Sequence, residues 1–467
     1  MALPSLITDA DIIAGYLTDA SNTHGQADAL VRPQSTAEVA AVVGHCQSHS
    51  IPLTITAQRT ATTGAPVPNG GWLLSTELLN QVHAADDVDA GVYLGEHQDR
   101  LEADGLLFPP DPTSRYDCSI GGAIACNASG ARSFRYGATR PWIESVTAVL
   151  ATGDIVEADR STSIPAHWPR LQWSEPSVKS AAGYVPADNL LDLLIGNEGT
   201  LGVVTRAKLR LLQAPVAVLS LFAFFPDDDS VVSFVERARA GAVRARSTPP
   251  TLGPLQPRAL EYFDAHALQL ARSRAPDIPQ AAQAAVLIEV EHSGDPPYDP
   301  WLEALEASGA LVDDTIVADD RSGLRRLHAI RHAIPASVNE QVVRNGMPKV
   351  GTDFAVPDTA LRDVLARYKA VTLPHVCFGH IGDNHLHLNL LPDSAEALAE
   401  ARRLYVELAR DAVARGGTVS AEHGIGKIKR ALLAEMVGDE VLHRFRKLKA
   451  AVDPNWILGR GTLLATP

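Results

Sequence analysis

Apolar positions along the chain recur with two periods. Ser35-Thr36-Ala37-Glu38 has the spacing of a capping box, and Val39, Val42, Val43 and Cys46 follow at helical intervals, which predicts a helix. Ile51-Pro52-Leu53-Thr54-Ile55 then reads as a strand. Beyond Ala214-Pro215, apolar runs at 216–225, 285–291 and 311–317 predict strands, separated by helical patterns near 230–240, 265–272 and 301–307. That alternation implies an α+β unit with helices on one side of its sheet. Longer helical patterns cover 321–343 and 396–415, the second with apolar positions at Leu398, Leu404, Leu408 and Val413. Residues 161–176 are rich in Ser, Pro and Trp and lack a period, so they read as a surface loop.

One strand pattern carries chemistry. His385, His387 and Asn389 alternate with Leu386, Leu388 and Leu390, so the polar side chains share one face while the leucines enter a core. Gly382-Asp383-Asn384 is turn chemistry, which can fold the chain back and stand His380 beside His387. Two imidazoles with Glu422 as a third ligand would suit zinc with an open position, or manganese or iron(II). Spacing alone leaves a second reading open, because His-x6-His also arises by chance in a chain with 16 histidines.

The 467 residues are enough for two or three domains with substantial cores. A formal charge of −14 argues against nucleic acid as a partner, so an anionic substrate would need a local arginine or a metal. Cys46, Cys118, Cys126 and Cys377 form no CxxC pair, which predicts structural thiols and a reduced, cytoplasmic setting. The first residues lack the basic and apolar regions of a signal peptide, and no run of 18 apolar residues predicts a membrane span. Peripheral membrane contact and a homodimer are both compatible with this composition.

The pair of stretches Gly379-His380-Ile381-Gly382-Asp383-Asn384-His385-Leu386-His387-Leu388-Asn389 and Ser420-Ala421-Glu422-His423-Gly424-Ile425-Gly426 resembles the paired signature of the flavin-dependent D-2-hydroxyacid dehydrogenases. These include D-lactate dehydrogenases, D-2-hydroxyglutarate dehydrogenases and the flavin subunit of glycolate oxidase. The resemblance implies one divalent metal, zinc first and manganese or iron as alternatives, on His380, His387 and Glu422. It also implies His423 as the catalytic base and Asn389 as a substrate contact. One departure is visible: the family usually reads GDGN where this chain has Gly382-Asp383-Asn384-His385.

Further segments resemble the same family in its order. The helix-to-strand unit after Val31-Arg32-Pro33 is similar to the opening of flavin-binding domains of the vanillyl-alcohol-oxidase type. The pyrophosphate loop that follows there is glycine-rich, whereas residues 57–64 here keep only Gly64, with Arg59 and the threonines as substitute donors. Asp111-Pro112-Thr113-Ser114, the small-residue run 119–130, Arg135-Tyr136-Gly137, Lys179 to Tyr184 and Ile195 to Thr205 are similar to the family's flavin segments. The small-residue run alone is equally well read as a helix packed closely through Gly and Ala. Carried over, the cofactor-binding residues are Thr60, Gly64, Asp111, Ser119, Gly122, Asn127, Gly130, Glu198, Gly202 and Val203. Arg331, in the helical stretch 321–343, falls where the family holds the substrate carboxylate, with Lys349 as a second candidate. Asp453 to Gly461 is similar to the family's terminus, but Gly459 and Arg460 stand where Asn and Pro are usual.

The implied fold is α+β: a two-subdomain FAD-binding domain of the vanillyl-alcohol-oxidase (PCMH) type over 1–214, and a ferredoxin-like α+β cap over 215–415 carrying the metal histidines. A segment over 416–467 then returns to the flavin domain. The implied activity is oxidation of a (R)-2-hydroxyacid to the 2-oxoacid, with non-covalent FAD and electrons passed to a quinone, a cytochrome or an electron-transfer flavoprotein. Three competing readings are an oxidase of the vanillyl-alcohol type using O2, a flavin subunit inactive alone, and a metal hydrolase without flavin. The last leaves the first 214 residues unexplained.

Overall fold

The computed structural model describes residues 3–273 and 275–467. Strand β1 (Ala29–Val31) leads to Ser35, whose hydroxyl accepts the Glu38 N–H and opens helix α1 (Thr36–His49). The Glu38 carboxylate accepts the Gln34 N–H, one residue before the position a capping box would use. Strands β2 (Leu53–Thr56) and β3 (Trp72–Ser75) complete a parallel sheet in the order β1-β3-β2. Val39, Val42, Val43 and Cys46 of α1 pack on Val31, Leu53 and Leu74 of this sheet.

The second subdomain is antiparallel. Its strands are β4 (Val82–Ala84), β5 (Asp87–Asp89), β6 (Ile143–Leu150), β7 (Ile155–Asp159) and β8 (Gly202–Leu209), in the order β4-β5-β8-β6-β7. Helix α2 (Ile120–Cys126), capped by Ser119, lies between β5 and β6 in the chain. Residues 161–176 form no helix or strand, yet Ile164, Trp168 and Leu171 are buried. That segment is an irregular strap with anchored side chains rather than the expected surface loop, because its few large apolar residues find the core.

The cap runs β9 (Ala217–Phe225), α3 (Asp228–Arg239), β10 (Pro257–Asp264), α4 (Ala265–Arg272), β11 (Ala284–His292), α5 (Tyr298–Glu306) and β12 (Ile316–Ala318). These four strands pair in the order β12-β9-β11-β10, all antiparallel, which is the ferredoxin-like arrangement. Helix α6 (Arg321–Asn345) follows, then β13 (Val350–Gly351), β14 (Phe354–Ala355), α7 (Leu361–Lys369), β15 (His375–His380) and β16 (His385–Leu390), and β15 extends the sheet from β10. The expected strand at 311–317 is a 3-10 turn at Val312–Asp314 followed by the short β12.

Helices cover both faces of this sheet, not one. Leu219, Leu221, Ala223 and Phe225 share a core with α3 and α5, whereas Phe222, Phe224 and Phe263 share another with α4 and α6. The strands are apolar on both sides, and water must be excluded from both.

Helix α8 (Ala395–Ala414) packs against α9 (Arg430–Val452), which is kinked at Gly438. The chain then returns to the first subdomain, where the Leu53 N–H donates to Ile457 O at 2.7 Å and the Gly459 N–H to Leu53 O at 3.0 Å. Among the described residues no helix is long and apolar enough to cross a membrane. The four cysteines are free, and burial raises the Cys46 thiol to about 12 and that of Cys118 to about 11.

Candidate active site

Strands β15 and β16 form a hairpin whose register puts His385 opposite His380 and His387 opposite Phe378. His380 thus stands beside His387 as its diagonal neighbour across the hairpin. The hairpin turns through Ile381–Asp383, and Asn384 closes it with φ of 51°. Asparagine tolerates that left-handed backbone better than other residues with a Cβ, so the turn survives without the family's glycine. Arg239 donates to the carbonyls of Ile381 and Gly382 and to the Asn384 side chain, and Ser133 Oγ donates to Asp383 at 2.7 Å. The last contact ties the cap's hairpin to the flavin domain.

Four side chains converge below this turn. His380 Nε2 lies 3.1 Å from Glu422 Oε1, His385 Nδ1 lies 3.9 Å from the same oxygen, and His387 Nε2 lies 3.9 Å from Glu422 Oε2. The outer nitrogens face acceptors: His380 Nδ1 is 2.5 Å from Glu261 Oε1, and His387 Nδ1 is 3.0 Å from the Thr352 carbonyl. His385 Nε2 is 3.0 Å from Asp353 Oδ1, but the ring is not aimed to make a hydrogen bond, so the contact is electrostatic. Lys179 binds Glu422 Oε1, as does Ser129 Oγ at 3.2 Å, which leaves Oε2 the freer oxygen.

Burial disfavours every charge here, and neighbours decide which survive. It opposes a proton on His380, but Glu261 and Glu422 outweigh it and lift this imidazole to about 9. Burial and the His385 ring hold His387 well below the usual range. Glu422 resists its burial through Lys179 and His380, which keep it ionised.

Asp353 organises the neighbouring loop. Its oxygens accept the N–H groups of Glu422 and His423, each at 3.1 Å, together with Ser420 Oγ at 2.7 Å and Lys429 Nζ at 2.6 Å. His423 Nδ1 is 3.4 Å from Asp353 Oδ2, and its ring stacks on His387 with centroids 5.6 Å apart. Its side chain keeps 37% of its surface exposed. Burial of the rest lowers its proton affinity, against the opposing charge of Asp353. Asn389 is buried on the same strand face and donates to His387 O at 3.1 Å.

The two candidate carboxylate anchors differ. Arg331 donates to Glu261 Oε2 at 3.1 Å, so Glu261 links it to His380. Lys349 is exposed and has no ion pair among the described residues.

The flavin segments meet on the other side of His423. Among the described residues, the backbone N–H groups of 58 to 63 have no hydrogen-bond partner, and neither have the buried Thr56 Oγ1 and Gln58 Oε1. A row of free N–H groups of this kind is an anion cradle. It takes Thr60 with it, while Gly64 donates its N–H to Asp19. Arg59 supplies the left-handed turn, with φ of 60°. Its guanidinium turns to the Tyr16 ring, 4.5 Å away, and to Ala57 O, so it is not the substitute donor expected from the sequence. Lys427 Nζ binds the carbonyls of Gly64, Ala65 and Val67 and holds the loop from behind.

Ser119 caps α2 through the Gly122 N–H, and Gly122 otherwise borders open space. Asn127 at its C-terminal end is left-handed, with its side-chain oxygen on Arg140 N–H. Gly130 lies against Asp111, where a Cβ would fall 2.0 Å from the Asp111 carbonyl, and Asp111 accepts the Arg132 N–H. Glu198 does not point at a ligand: its two oxygens accept the N–H groups of Ile425 and Gly426, each at 2.8 Å, locking the His423 loop to the flavin domain. Gly202 and Val203 begin β8 opposite Leu150 and Val149, with the Val203 side chain in the core, so only their main chain can meet a cofactor.

The model of the C-terminal domain of FAD linked oxidases matches residues 216–463, and that of the FAD binding domain matches 27–159. The chain belongs to the FAD-linked oxidases. This oxidoreductase is 31% identical to the mitochondrial D-2-hydroxyglutarate dehydrogenase of Bos taurus, over 99% of this chain and 81% of that protein. It is 28% identical to a D-lactate dehydrogenase of Anaerostipes hadrus, over 97% and 93% of the two chains. Identity to the glycolate oxidase subunit GlcD of Bacillus subtilis is also 28%, over 94% and 89%. A solved alkyldihydroxyacetonephosphate synthase shares the fold of this FAD-linked oxidase, with a TM-score of 0.68 at 16% identity, covering 97% of this chain and 81% of that one.

Sequence reasoning did not single out Glu261, nor did it give Asp353 a role at His423 or Lys179 a role at Glu422. Each is a buried charge whose partner lies far away in the chain, and only a polar residue inside an apolar run could have signalled it.

Proposed function

We propose that this FAD-linked oxidase converts a (R)-2-hydroxyacid, of the class of D-lactate, D-2-hydroxyglutarate or glycolate, to its 2-oxoacid. The observation that carries the reading is His423. It is an imidazole of lowered proton affinity, backed by Asp353, partly exposed, and lying between the histidine cluster and the flavin segments. The relatives named above act on this class of substrate by name.

The residues present fit both groups the reading requires. The unpartnered N–H groups of 58–63 fit a pyrophosphate, and the unpartnered buried His385 beside His380, His387 and Glu422 fits a divalent cation. When bound, FAD supplies a two-electron acceptor for the Cα hydride, and a divalent metal held by His380, His387 and Glu422 supplies Lewis acidity.

His423 accepts the hydroxyl proton on Nε2, the nitrogen turned away from Asp353. Asp353 fixes the ring orientation and stabilises the imidazolium that results. Loss of that proton and of a hydride from Cα leaves the 2-oxoacid. Lys349 and Arg331 hold the substrate carboxylate, Lys349 being the cation without a competing carboxylate, and Asn389 orients the substrate from the strand face. Electrons then leave for a quinone, a cytochrome or an electron-transfer flavoprotein.

The test is anaerobic mixing of the FAD-loaded protein with D-lactate, D-2-hydroxyglutarate and glycolate, with L-lactate and L-2-hydroxyglutarate as controls. Fading of the yellow flavin absorbance with at least one of the three, and not with the L-forms, is expected. No fading with any of them would overturn the reading.

A further inference from the structure

Every donor atom around Glu422 belongs to a side chain with a second role except those of His385. This residue is 0% exposed, and among the described residues neither of its ring nitrogens makes a well-aimed hydrogen bond, although Nε2 lies 3.0 Å from Asp353 Oδ1. Buried imidazoles kept only for packing satisfy at least one nitrogen, because an unmade bond in a dry site is costly. His385 also stands directly across the hairpin from His380, with ring centroids 5.3 Å apart, and 4.3 Å from the ring of its strand neighbour His387.

We propose that His385 is a metal ligand in its own right, so that this chain holds a divalent cation through three imidazoles and one carboxylate: His380, His385, His387 and Glu422. The inference rests on the metal site of the proposed function and adds to it the residue that replaces the asparagine of the GDGN pattern.

Distances support the quartet. One donor atom from each of the four side chains lies within 4.8 Å of all the others. A cation with bonds of about 2.1 Å needs donors about 3.4 Å apart in a tetrahedron, or about 3.0 and 4.2 Å apart in an octahedron. The cluster is thus close to the required size and contracts slightly on loading.

Orientation supports it as well. His380 and His387 each turn the outer nitrogen to an acceptor, Glu261 or the Thr352 carbonyl, and present the inner one to Glu422. His385 also presents Nδ1 to Glu422, while its Nε2 lies 3.0 Å from Asp353 without the aim of a hydrogen bond. For His380 and His387 the outer acceptor fixes the tautomer in which the inner nitrogen is the lone-pair donor. A role as base does not fit, since His385 has no open side, whereas His423 does.

Four protein donors close the tetrahedral shell of zinc but leave two positions on a six-coordinate cation. The quartet therefore favours manganese or iron(II) over zinc as the working ion, although zinc still binds and reports the ligand count.

The experiment uses FAD-loaded protein stripped with a chelator and reloaded with zinc. Zinc-edge X-ray absorption, whose outer-shell scattering counts imidazoles, should give three for the unaltered protein and two for His385→Asn. Chelator competition should show at least about tenfold weaker zinc binding in that variant, since even an outer-shell partner is worth that much. Two imidazoles in the unaltered protein overturn the proposal while leaving the metal site of His380, His387 and Glu422 standing. An unchanged imidazole count and zinc affinity in His385→Asn overturn it likewise. A protein that takes up no cation removes both readings. Should His385→Asn lose its flavin, the count in the unaltered protein decides alone.

Discussion

Asp353 Oδ2 lies 3.4 Å from His423 Nδ1 and accepts the backbone N–H of the same residue at 3.1 Å. One buried carboxylate thus sets both the backbone and the ring of the proposed base. His423→Asn is expected to lower turnover by roughly 10²–10⁴-fold, the usual worth of a positioned base. Flavin absorbance and metal content should stay at their original levels. Turnover near that of the unaltered protein would remove His423 from the mechanism.

Glu261 joins His380 to Arg331 and touches neither the proposed metal nor the substrate. Glu261→Gln should weaken metal binding by about 10–100-fold, as loss of an outer-shell partner does, with FAD retained. His387→Ala should lower the metal content sharply while keeping FAD, because the flavin segments lie in a different domain. Elemental analysis beside the visible spectrum checks both, and unchanged metal content in His387→Ala would refute the ligand assignment.

FAD is expected to be held without a covalent link. Denaturation should release a yellow supernatant, and a flavin that stays with the precipitated chain would contradict this.

Lys349 is the cation at the cleft with no ion pair among the described residues. Lys349→Met should raise KM by about 10–100-fold, the worth of one charge-assisted hydrogen bond, with a smaller change in kcat. Lys349→Arg should restore part of the affinity. A KM unchanged in Lys349→Met would leave the carboxylate to Arg331.

Glu289 gives the interface between the domains a pH dependence. Its burial is outweighed by Arg258, 2.8 Å away, and by Arg132 from the flavin domain, which hold the carboxyl at about 2 against 4.5. A carboxyl depressed in the folded state contributes stability that is present above 4.5 and lost as pH falls through 2. Glu289→Gln should therefore cost up to about 3 kcal/mol near neutral pH, and the gap should narrow below about pH 4.5. Denaturant melts of both proteins across that range measure it, and a gap independent of pH would assign the loss to packing.

The strand 257–264 shows why part of the site was hidden. Arg258 and Glu261 interrupt its apolar run, so it does not read as a buried strand, yet seven of its eight residues are buried. Arg258 is neutralised by Glu289 and Glu291 of β11, and Glu261 by Arg331 and His380. No local pattern could have supplied those partners. Helix α1, by contrast, begins where its cap and apolar spacing predict, because both signals are local.

Sequence alone determined the family, the α+β class, the polar face of His385, His387 and Asn389, and the proposal that His380, His387 and Glu422 share a cation. Alternation along a strand and short motifs are properties of neighbouring residues, and they remain readable without a fold. Tertiary structure decided that His380 faces His385, that Asp353 stands behind His423, and that Glu198 ties a loop instead of facing a ligand. It also decided that a glycine-poor loop can present a row of free N–H groups, because Lys427, more than 360 residues away along the chain, takes its carbonyls. Contacts across such separations depend on how sheets and loops close on one another, and pairwise burial and charge then select which polar groups survive inside.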